Sequence, residues 1–237
     1  MDPNVRICNS RDEWVSYACS QILEAARQAL GARGQFSWML SGGSTPGPVY
    51  AAMRQQRGFD WAHTDVFWGD ERCVPPDDAA SNYRMAREQL LDHVPIPSSR
   101  VHRIAGEQPP VEAARQYADE LEDFFPEGRG PDLVFLGLGE DGHTASLFPG
   151  LAALAERRHC VVAEFVPRFS AWRISCTPLL LNRAARVVFL VEGSAKAPVL
   201  AQVLGPRRDP VTWPAQALRP QGSLCWVVDQ AAAGQLI

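Results

Sequence analysis

The sequence has 237 residues, of which 46% are hydrophobic and 21% charged, and this balance predicts one globular domain, residues 1–237, with a sizeable core. Its 27 acidic and 23 basic residues give a net charge of -4, which excludes a broad cationic face for nucleic acid or an anionic membrane. No apolar stretch approaches the roughly 20 residues that cross a bilayer, and the N-terminus lacks a signal-like segment, so we expect a cytoplasmic protein.

The first predicted elements are a helix, a strand, a glycine-containing loop and a second helix. Ser10 and Glu13 form a capping box, and apolar residues then recur at helical spacing from Trp14 until Gly31, which is expected to end the helix. In chain order there follow a strand over 36–40, the loop 41–46 and a helix to about residue 56.

The rest of the chain continues this alternation. Leu133–Leu138 is nearly all apolar, as expected for a central parallel strand. The other predicted elements are a strand over 66–68, a polar loop over 70–80, helices over 81–91, 111–125 and 195–204, strands near 160–165, 173–177, 186–191 and 224–228, and a surface excursion over 205–220. The alternation predicts the α/β class, a doubly wound, mostly parallel, Rossmann-like sheet with helices on both faces and ligands at the carboxyl ends of its strands.

The cysteines, histidines and lysine of the sequence indicate which kinds of site the protein contains. The six cysteines include no C-x-x-C pair and the five histidines no H-E-x-x-H motif, so the sequence indicates neither disulfides nor a dedicated metal site. Lys196 is the only lysine among the 23 basic residues. Where arginine stands almost everywhere else, a single lysine hints that an ammonium group is needed at that position.

A glycine-rich loop, SGGSTP over residues 41–46, follows the strand over 36–40. It combines the backbone N–H groups of Gly42 and Gly43 with the hydroxyls of Ser44 and Thr45 at the start of a helix, which suits a phosphate group. The Walker pattern with its trailing lysine is absent. From the loop alone, phosphate binding and a strand-to-helix turn that binds nothing both stay open.

Three further loops carry basic side chains. Arg72 follows the strand over 66–68, Arg168 and Arg173 accompany a later strand, and Lys196 follows the next one. Each of these residues is by itself typical of a solvated surface charge. Gathered at one sheet edge around a histidine, they indicate an anionic, oxygen-rich substrate and acid–base chemistry.

The segment 137–142 matches G-x-G-x-x-G directly after a strand, with Glu164 near the place of a ribose-binding acid. This raises the alternative of nicotinamide dinucleotide binding. The motif is not in the first strand–helix unit, however, and an early Pro-Gly pair cuts short the helix that should carry the pyrophosphate. We instead interpret His143, which lies on a glycine-flanked loop at the edge of the predicted sheet, as a general base.

Taken together, these motifs resemble the 6-phosphogluconolactonase family. The blocks that carry the resemblance are SGGSTP at 41–46, WGDER at 68–72 with VP at 74–75, SNY at 81–83, GLGEDGHTASLFPG at 137–150, RIS at 173–175 and GSAK at 193–196. The resemblance implies an α/β domain of the deaminase/lactonase type, no metal and no other cofactor, a catalytic His143, and a sugar phosphate held by the first loop and basic side chains. The implied substrate is the small molecule 6-phosphogluconolactone of the pentose phosphate pathway, and coupling to glucose-6-phosphate dehydrogenase is left open.

The chemistry of a δ-lactone agrees with this resemblance. Because such a lactone is an activated ester, water needs a base more than a metal, and His143 is expected to take the proton of the water and return it to the ring oxygen. Asp141 is expected to orient His143 or the water. Backbone N–H groups near Gly43 or Gly142 are candidate hydrogen-bond donors to the oxyanion. No serine of these loops lies in a G-x-S-x-G elbow, which disfavours a serine-esterase mechanism.

Two other functions stay open beside hydrolysis. Deaminases of the same fold resemble this chain but place a carboxylate where it has Phe148 and an aromatic residue where it has Arg72. A non-catalytic sugar-phosphate sensor keeps the loops without needing His143. The chain departs from the lactonase pattern at Ser175, which keeps a hydroxyl, and at Glu140, which adds a negative charge near the histidine.

Overall fold

The computed structural model describes residues 4–236, whose central sheet has seven strands that pair in parallel throughout. These strands are β1 (Asn4–Cys8), β2 (Phe36–Leu40), β3 (Thr64–Trp68), β5 (Val101–His102), β6 (Leu133–Gly137), β9 (Arg186–Val191) and β10 (Ser223–Asp229). Their order across the sheet is β1-β10-β9-β6-β2-β3-β5. This arrangement confirms the predicted α/β class with a mostly parallel sheet. Among the described residues, none of the helices has the length and apolar character needed to span a membrane.

Helices connect the strands, largely where the periodicity predicted them. They are α1 (Arg11–Arg33), α2 (Gly47–Met53), α3 (Asn82–Gln89), α4 (Pro110–Phe124), α5 (Pro178–Leu181) and α6 (Ala197–Leu204). The N–H of Glu13 donates to Ser10 Oγ at the start of α1, as the capping box predicts. The predicted end at Gly31 is wrong, because the left-handed residue that closes the helix is Gly34, with φ 68° and its N–H donating to the Leu30 carbonyl.

A second, antiparallel sheet is the main departure from prediction. It consists of β4 (Asp70–Arg72), β8 (Ala171–Cys176) and β7 (Val161–Val166), in the order β4-β8-β7. The interpretation of 70–80 as a loop throughout was wrong, and the strands predicted near 160–165 and 173–177 lie in this second sheet. The reason is Gly69, whose N–H donates to Leu40 in the main sheet and whose carbonyl accepts from Cys176 in the second. The chain therefore passes from one sheet to the other within a single residue.

Two other parts of the chain differ from prediction. β1 was not predicted, because only Val5 and Ile7 mark its alternation before the edge pairing with β10. The segment 205–220 is not simply a surface excursion, since Pro214 and Leu218 are buried. Its buried side chains lie on a short helical turn over Pro214–Ala217 and directly after it, a length too short for helical periodicity to reveal.

The strand order places the loops after β9, β6, β2 and β3 side by side at one edge of the sheet. β2 and β6 are neighbours, yet the chain continues from β2 towards β3 and from β6 towards β9, on opposite sides. In an open α/β sheet the carboxyl ends of such a strand pair form the ligand crevice. A Cβ on Gly137 at the end of β6 would lie 4.0 Å from the Ser41 hydroxyl after β2, so the two loops are in contact range.

Two buried tyrosines fix the ends of the strands that lead into these loops. The Tyr50 hydroxyl accepts from Ser41 N at 3.0 Å and donates to Ser41 O at 2.8 Å. The Tyr117 hydroxyl makes the same pair of bonds to Trp68, at 2.9 and 3.0 Å. Each hydroxyl satisfies the backbone groups at the point where the chain leaves the sheet.

A partly buried ion cluster formed by side chains of β3, β5 and α4 makes stability depend on pH. His102 Nε2 lies 3.1 Å from Asp65 Oδ1 and its Nδ1 lies 2.6 Å from Glu120 Oε1, while the ring stacks on Phe67 at 4.4 Å. Burial lowers the pKa of His102, but the hydrogen bonds and charges of the two carboxylates outweigh it and raise this pKa to about 9. The imidazolium therefore stabilises the fold below about pH 6.5, and this contribution is lost as pH rises through about 9.

We expect His102→Gln to lower the free energy of unfolding by up to about 3 kcal/mol at pH 6 and by clearly less at pH 9.5. Urea denaturation of both proteins at the two pH values measures the difference. If the loss of unfolding free energy is the same at both pH values, it does not come from the charge of His102. Such a result contradicts stabilisation by the imidazolium and indicates a packing defect instead.

Candidate active site

The loop after β6 brings His143 and Asp141 into direct contact. His143 Nδ1 lies 2.5 Å from Asp141 Oδ1, and the same oxygen accepts the His143 backbone N–H at 3.2 Å. Arg168 Nη1 donates to the other carboxylate oxygen. Burial raises the pKa of Asp141, but the bonds from His143 and the charge of Arg168 outweigh it and lower this pKa to about 2. Asp141 is therefore ionised at neutral pH.

The ionised carboxylate decides the tautomer of the imidazole. Because Asp141 has no proton to give, the short contact is a bond in which His143 Nδ1–H donates. In the neutral imidazole with this tautomer, Nε2 carries the lone pair, and no hydrogen bond within residues 4–236 engages this nitrogen. The histidine side chain is 25% exposed, so water reaches this nitrogen.

Two glycines of this loop are required by the histidine and its surroundings. A Cβ on Gly139 would lie 1.9 Å from His143 Nδ1 and 2.1 Å from its Cε1, so the ring occupies the space of the missing side chain. Gly142 has φ 78°, in the left-handed region that favours glycine. The glycines of the G-x-G-x-x-G match thus serve His143. The candidate ribose acid, Glu164, accepts the N–H groups of residues 152 and 153 instead.

We expect Gly139→Ala to abolish most turnover without unfolding the protein. The new methyl group displaces the His143 ring from Asp141, because the ring is the nearest group and lies closer than a van der Waals contact allows. A displacement of about 1 Å at a reacting group is enough for about a hundredfold loss of rate. Turnover measured beside a urea unfolding curve checks this, with Gly31→Ala on α1 as a control because no atom lies within 4 Å of its Cβ position.

Aromatic rings connect the histidine to the basic side chains. The Phe148 ring lies 4.3 Å from the His143 ring at an interplanar angle of 32°, and the Phe169 ring lies 5.7 Å from Phe148. Phe169 in turn lies beneath the guanidinium groups of Arg168 and Arg173, at 4.9 and 5.4 Å. The hairpin tip between β7 and β8 therefore covers one side of the site.

Arg72 and Arg173 lie directly opposite each other across β4 and β8. Burial lowers the pKa of Arg173, and the positive charge of Arg72 lowers it further. Among the described residues neither guanidinium forms an ion pair, although Arg72 donates to the Ala80 carbonyl, and Nε of each is buried without a partner. The charges of Asp70 and Glu71 offset these effects only in part, because the pKa of Arg173 stays lowered. Two adjacent, partly desolvated cations that form no ion pair are the environment that an anionic ligand stabilises.

The glycine loop offers a second set of donors. In the part of the chain that the structure describes, no acceptor takes up the backbone N–H groups of Gly42, Gly43, Ser44 or Thr45. Gly43 has φ 81°, which turns the backbone between the strand and α2. The four N–H groups are consistent with the predicted seat for phosphate or another oxyanion.

Three residues outside the predicted set of site residues connect the loops of this site. Asp70 accepts from Ser146 Oγ at 2.6 Å and from Asn82 Nδ2 at 3.2 Å. A Cβ on Gly42 would lie 1.8 Å from Asn82 Oδ1, so Asn82 packs on the bare glycine. Asp70 thereby joins the loops of β2, β3 and β6. Asp70 and Asn82 belong to the WGDER and SNY blocks, so the sequence marked both residues. It did not show that they contact each other.

Lys196 lies in the loop after β9, beside the loop of His143. The loop turns at Gly193, which has φ 97° and donates its N–H to both Asp229 oxygens at 3.1 Å. The Lys196 backbone N–H donates to the Gly193 carbonyl at 3.0 Å, whereas the Lys196 ammonium group forms no hydrogen bond or ion pair within residues 4–236. No group of three metal-ligating side chains is found among the described residues.

Comparison with known proteins identifies the family. Residues 9–226 match the family model described as glucosamine-6-phosphate isomerases/6-phosphogluconolactonase. The chain belongs to this family.

Similar proteins lie on the lactonase side of the family. The chain is 39% identical over 241 residues to a 6-phosphogluconolactonase of Synechocystis sp., covering 100% of this chain and 99% of the relative. The structure of 6-phosphogluconolactonase from Trypanosoma brucei has a TM-score of 0.88 at 28% identity, with 99% of each chain covered. A rabbit (Oryctolagus cuniculus) relative, the GDH/6PGL endoplasmic bifunctional protein, is 36% identical over 231 residues, which are 93% of this chain and 29% of the relative. These findings confirm the resemblance and the expectation of an enzyme of the lactonase kind.

Proposed function

We propose that the chain hydrolyses 6-phosphogluconolactone to 6-phosphogluconate, with His143 as the general base. The observation that carries the proposal is the His143–Asp141 pair, whose ionised carboxylate leaves the Nε2 lone pair free at the mouth of the crevice. The Arg72–Arg173 cations form no ion pair among the described residues and are connected to the histidine through the rings of Phe148 and Phe169, and they suit a phosphorylated substrate. The names of the relatives support the same substrate.

The reaction follows from this geometry. His143 Nε2 removes a proton from water as the water oxygen bonds to the lactone carbonyl carbon, and the carbonyl oxygen becomes an oxyanion. The tetrahedral intermediate then breaks its bond to the ring oxygen, which takes the proton back from Nε2. Asp141 stays ionised throughout and stabilises the imidazolium that exists between the two steps.

Donors for the oxyanion and the phosphate come from different parts of the site. Of the two expected oxyanion donors, Gly142 already donates its N–H to the Gly139 carbonyl at 3.0 Å, whereas the N–H of Gly43 is free among the described residues. We therefore assign the oxyanion to Gly43. The phosphate is bound by Arg72 and Arg173, with the rest of the glycine loop and Lys196 as further predicted contacts.

The deaminase is the alternative, and Phe148 disfavours it. The resemblance to the family implies that deaminases have a carboxylate at this position, whereas here the Phe148 ring lies 4.3 Å from the His143 ring. Opening an amino sugar needs an additional acid–base group there, and hydrolysis of an activated ester does not. Release of ammonia from glucosamine 6-phosphate, measured beside lactone hydrolysis, separates the two. We expect lactone hydrolysis only, and ammonia release at a comparable rate contradicts the proposal.

Coupling to a dehydrogenase that supplies the lactone is supported by the rabbit bifunctional relative, in which a region similar to this chain is part of a longer protein. We propose a functional partnership with glucose-6-phosphate dehydrogenase. The cytoplasm stays the predicted location.

A further inference from the structure

The backbone beside His143 is supported from outside its own loop. Gly142 is buried, and a Cβ on it would lie 2.8 Å from Cε3 and 3.2 Å from Cα of Trp213. The indole and backbone of Trp213 therefore lie against the bare Cα of Gly142. The Gly142 carbonyl accepts the N–H of Ala215 at 2.9 Å. One segment of the chain thus contacts the residue before the base through both a side chain and a hydrogen bond.

The segment that makes these contacts, 209–217, has little regular structure but several side-chain hydrogen bonds. Asp209 accepts from Thr212 N and Oγ1 at 3.2 and 2.8 Å, and its carbonyl accepts the N–H of Trp213 at 2.8 Å. Gln216 Oε1 accepts the N–H of Asp209 at 2.6 Å. The Gln216 Nε2 group donates to the carbonyls of residues 202, 203 and 207, at 3.2, 3.0 and 3.0 Å.

These bonds link the segment to a second loop of the site. Residues 202 and 203 are in the last turn of α6, where helical carbonyls lack partners within the helix. α6 begins at Ala197, directly after Lys196. The segment therefore ties the C-terminal end of α6 to Gly142, and so it connects the helix that follows Lys196 with the loop of His143.

We propose that Trp213 is a positioning residue for catalysis, acting through Gly142 to hold His143 in its bond with Asp141. The inference rests on the proposed function, because it assigns Trp213 a part in the reaction of His143. The His143 ring fits between Asp141, 2.5 Å away, and the bare Gly139, so it has little room to move while the loop stays in place. Loss of the indole removes the contact that keeps Gly142 there.

The test compares Trp213→Ala, Trp213→Phe and Val211→Ala in lactone hydrolysis. We expect Trp213→Ala to lower kcat about 10- to 100-fold with KM within about twofold of wild type, since the paired arginines lie on β4 and β8 rather than on the segment of Trp213. Phenylalanine keeps a ring against Gly142 and should recover most of kcat. Val211 is 64% exposed in the same segment and serves as the matched control with wild-type kcat. An unchanged kcat in Trp213→Ala, or a rise in KM alone, overturns the proposal.

Amide hydrogen exchange supplies a readout that does not depend on activity. In Trp213→Ala the N–H of Gly142 should exchange faster while the amides of β6 and β9 keep their protection. Uniformly faster exchange overturns the positioning role, because it reports general destabilisation. Should the wild type fail to hydrolyse the lactone, the proposed function fails, and the exchange experiment still decides whether Trp213 holds the loop.

Discussion

Replacement of His143 by glutamine is expected to lower kcat by about 10²- to 10⁴-fold, the usual contribution of a general base, while KM stays within about twofold. Glutamine keeps a polar group near Asp141 but has no lone pair that takes a proton from water. Phosphate binding is unaffected, because the paired cations lie on β4 and β8 rather than on the loop of His143. Initial rates over a range of lactone concentrations separate the two constants.

The matched control is His159→Gln. This histidine is 67% exposed, and its nearest carboxylate, on Glu156, is 3.6 Å away, so the substitution removes an imidazole without touching the site. We expect wild-type kinetics for it. Full turnover in His143→Gln, or an equal loss in the control variant, contradicts the assignment of the base.

Replacement of Arg173 by glutamine should act mainly on KM. A charge-assisted hydrogen bond to phosphate contributes about 1.5–3 kcal/mol, which corresponds to a rise in KM of about 10- to 150-fold. The stability of the free protein should not fall, because burial and the charge of Arg72 already disfavour the charged form of Arg173, as its lowered pKa shows. This combination of weaker binding and undiminished stability is characteristic of a ligand-binding cation.

Two controls identify phosphate as the group bound. Unphosphorylated glucono-1,5-lactone should be hydrolysed poorly by wild type and by Arg173→Gln alike, since it has nothing for the guanidinium to bind. Arg158→Gln, at an exposed arginine away from the site, should leave both substrates unaffected. If Arg173→Gln lost stability and kept its KM, the arginine would be structural and the phosphate site would lie elsewhere.

Features that depend on neighbours in sequence were predictable. The bounds of β2 and β9 agree with prediction because both are short apolar runs between turn residues, and both are buried almost throughout. His143 and Asp141 are two residues apart on a glycine-flanked loop, so their contact follows from local geometry. The alternation of strands and helices placed that loop at the carboxyl edge of the sheet.

Features that depend on pairing between distant residues were not predictable from one sequence. Arg72 and Arg173 meet only because β4 and β8, about a hundred residues apart, pair in one register, and no local pattern specifies that register. The support of Gly142 by Trp213 is of the same kind. A glycine shows that space is needed, but not which side chain fills it.

The most direct test of the account is the decay of freshly generated 6-phosphogluconolactone in the presence of a metal chelator, with wild type, with His143→Gln and without protein. The account predicts fast decay with wild type and decay near the spontaneous rate with His143→Gln. Decay at the spontaneous rate with wild type, or loss of its activity on adding the chelator, would contradict metal-independent hydrolysis by His143.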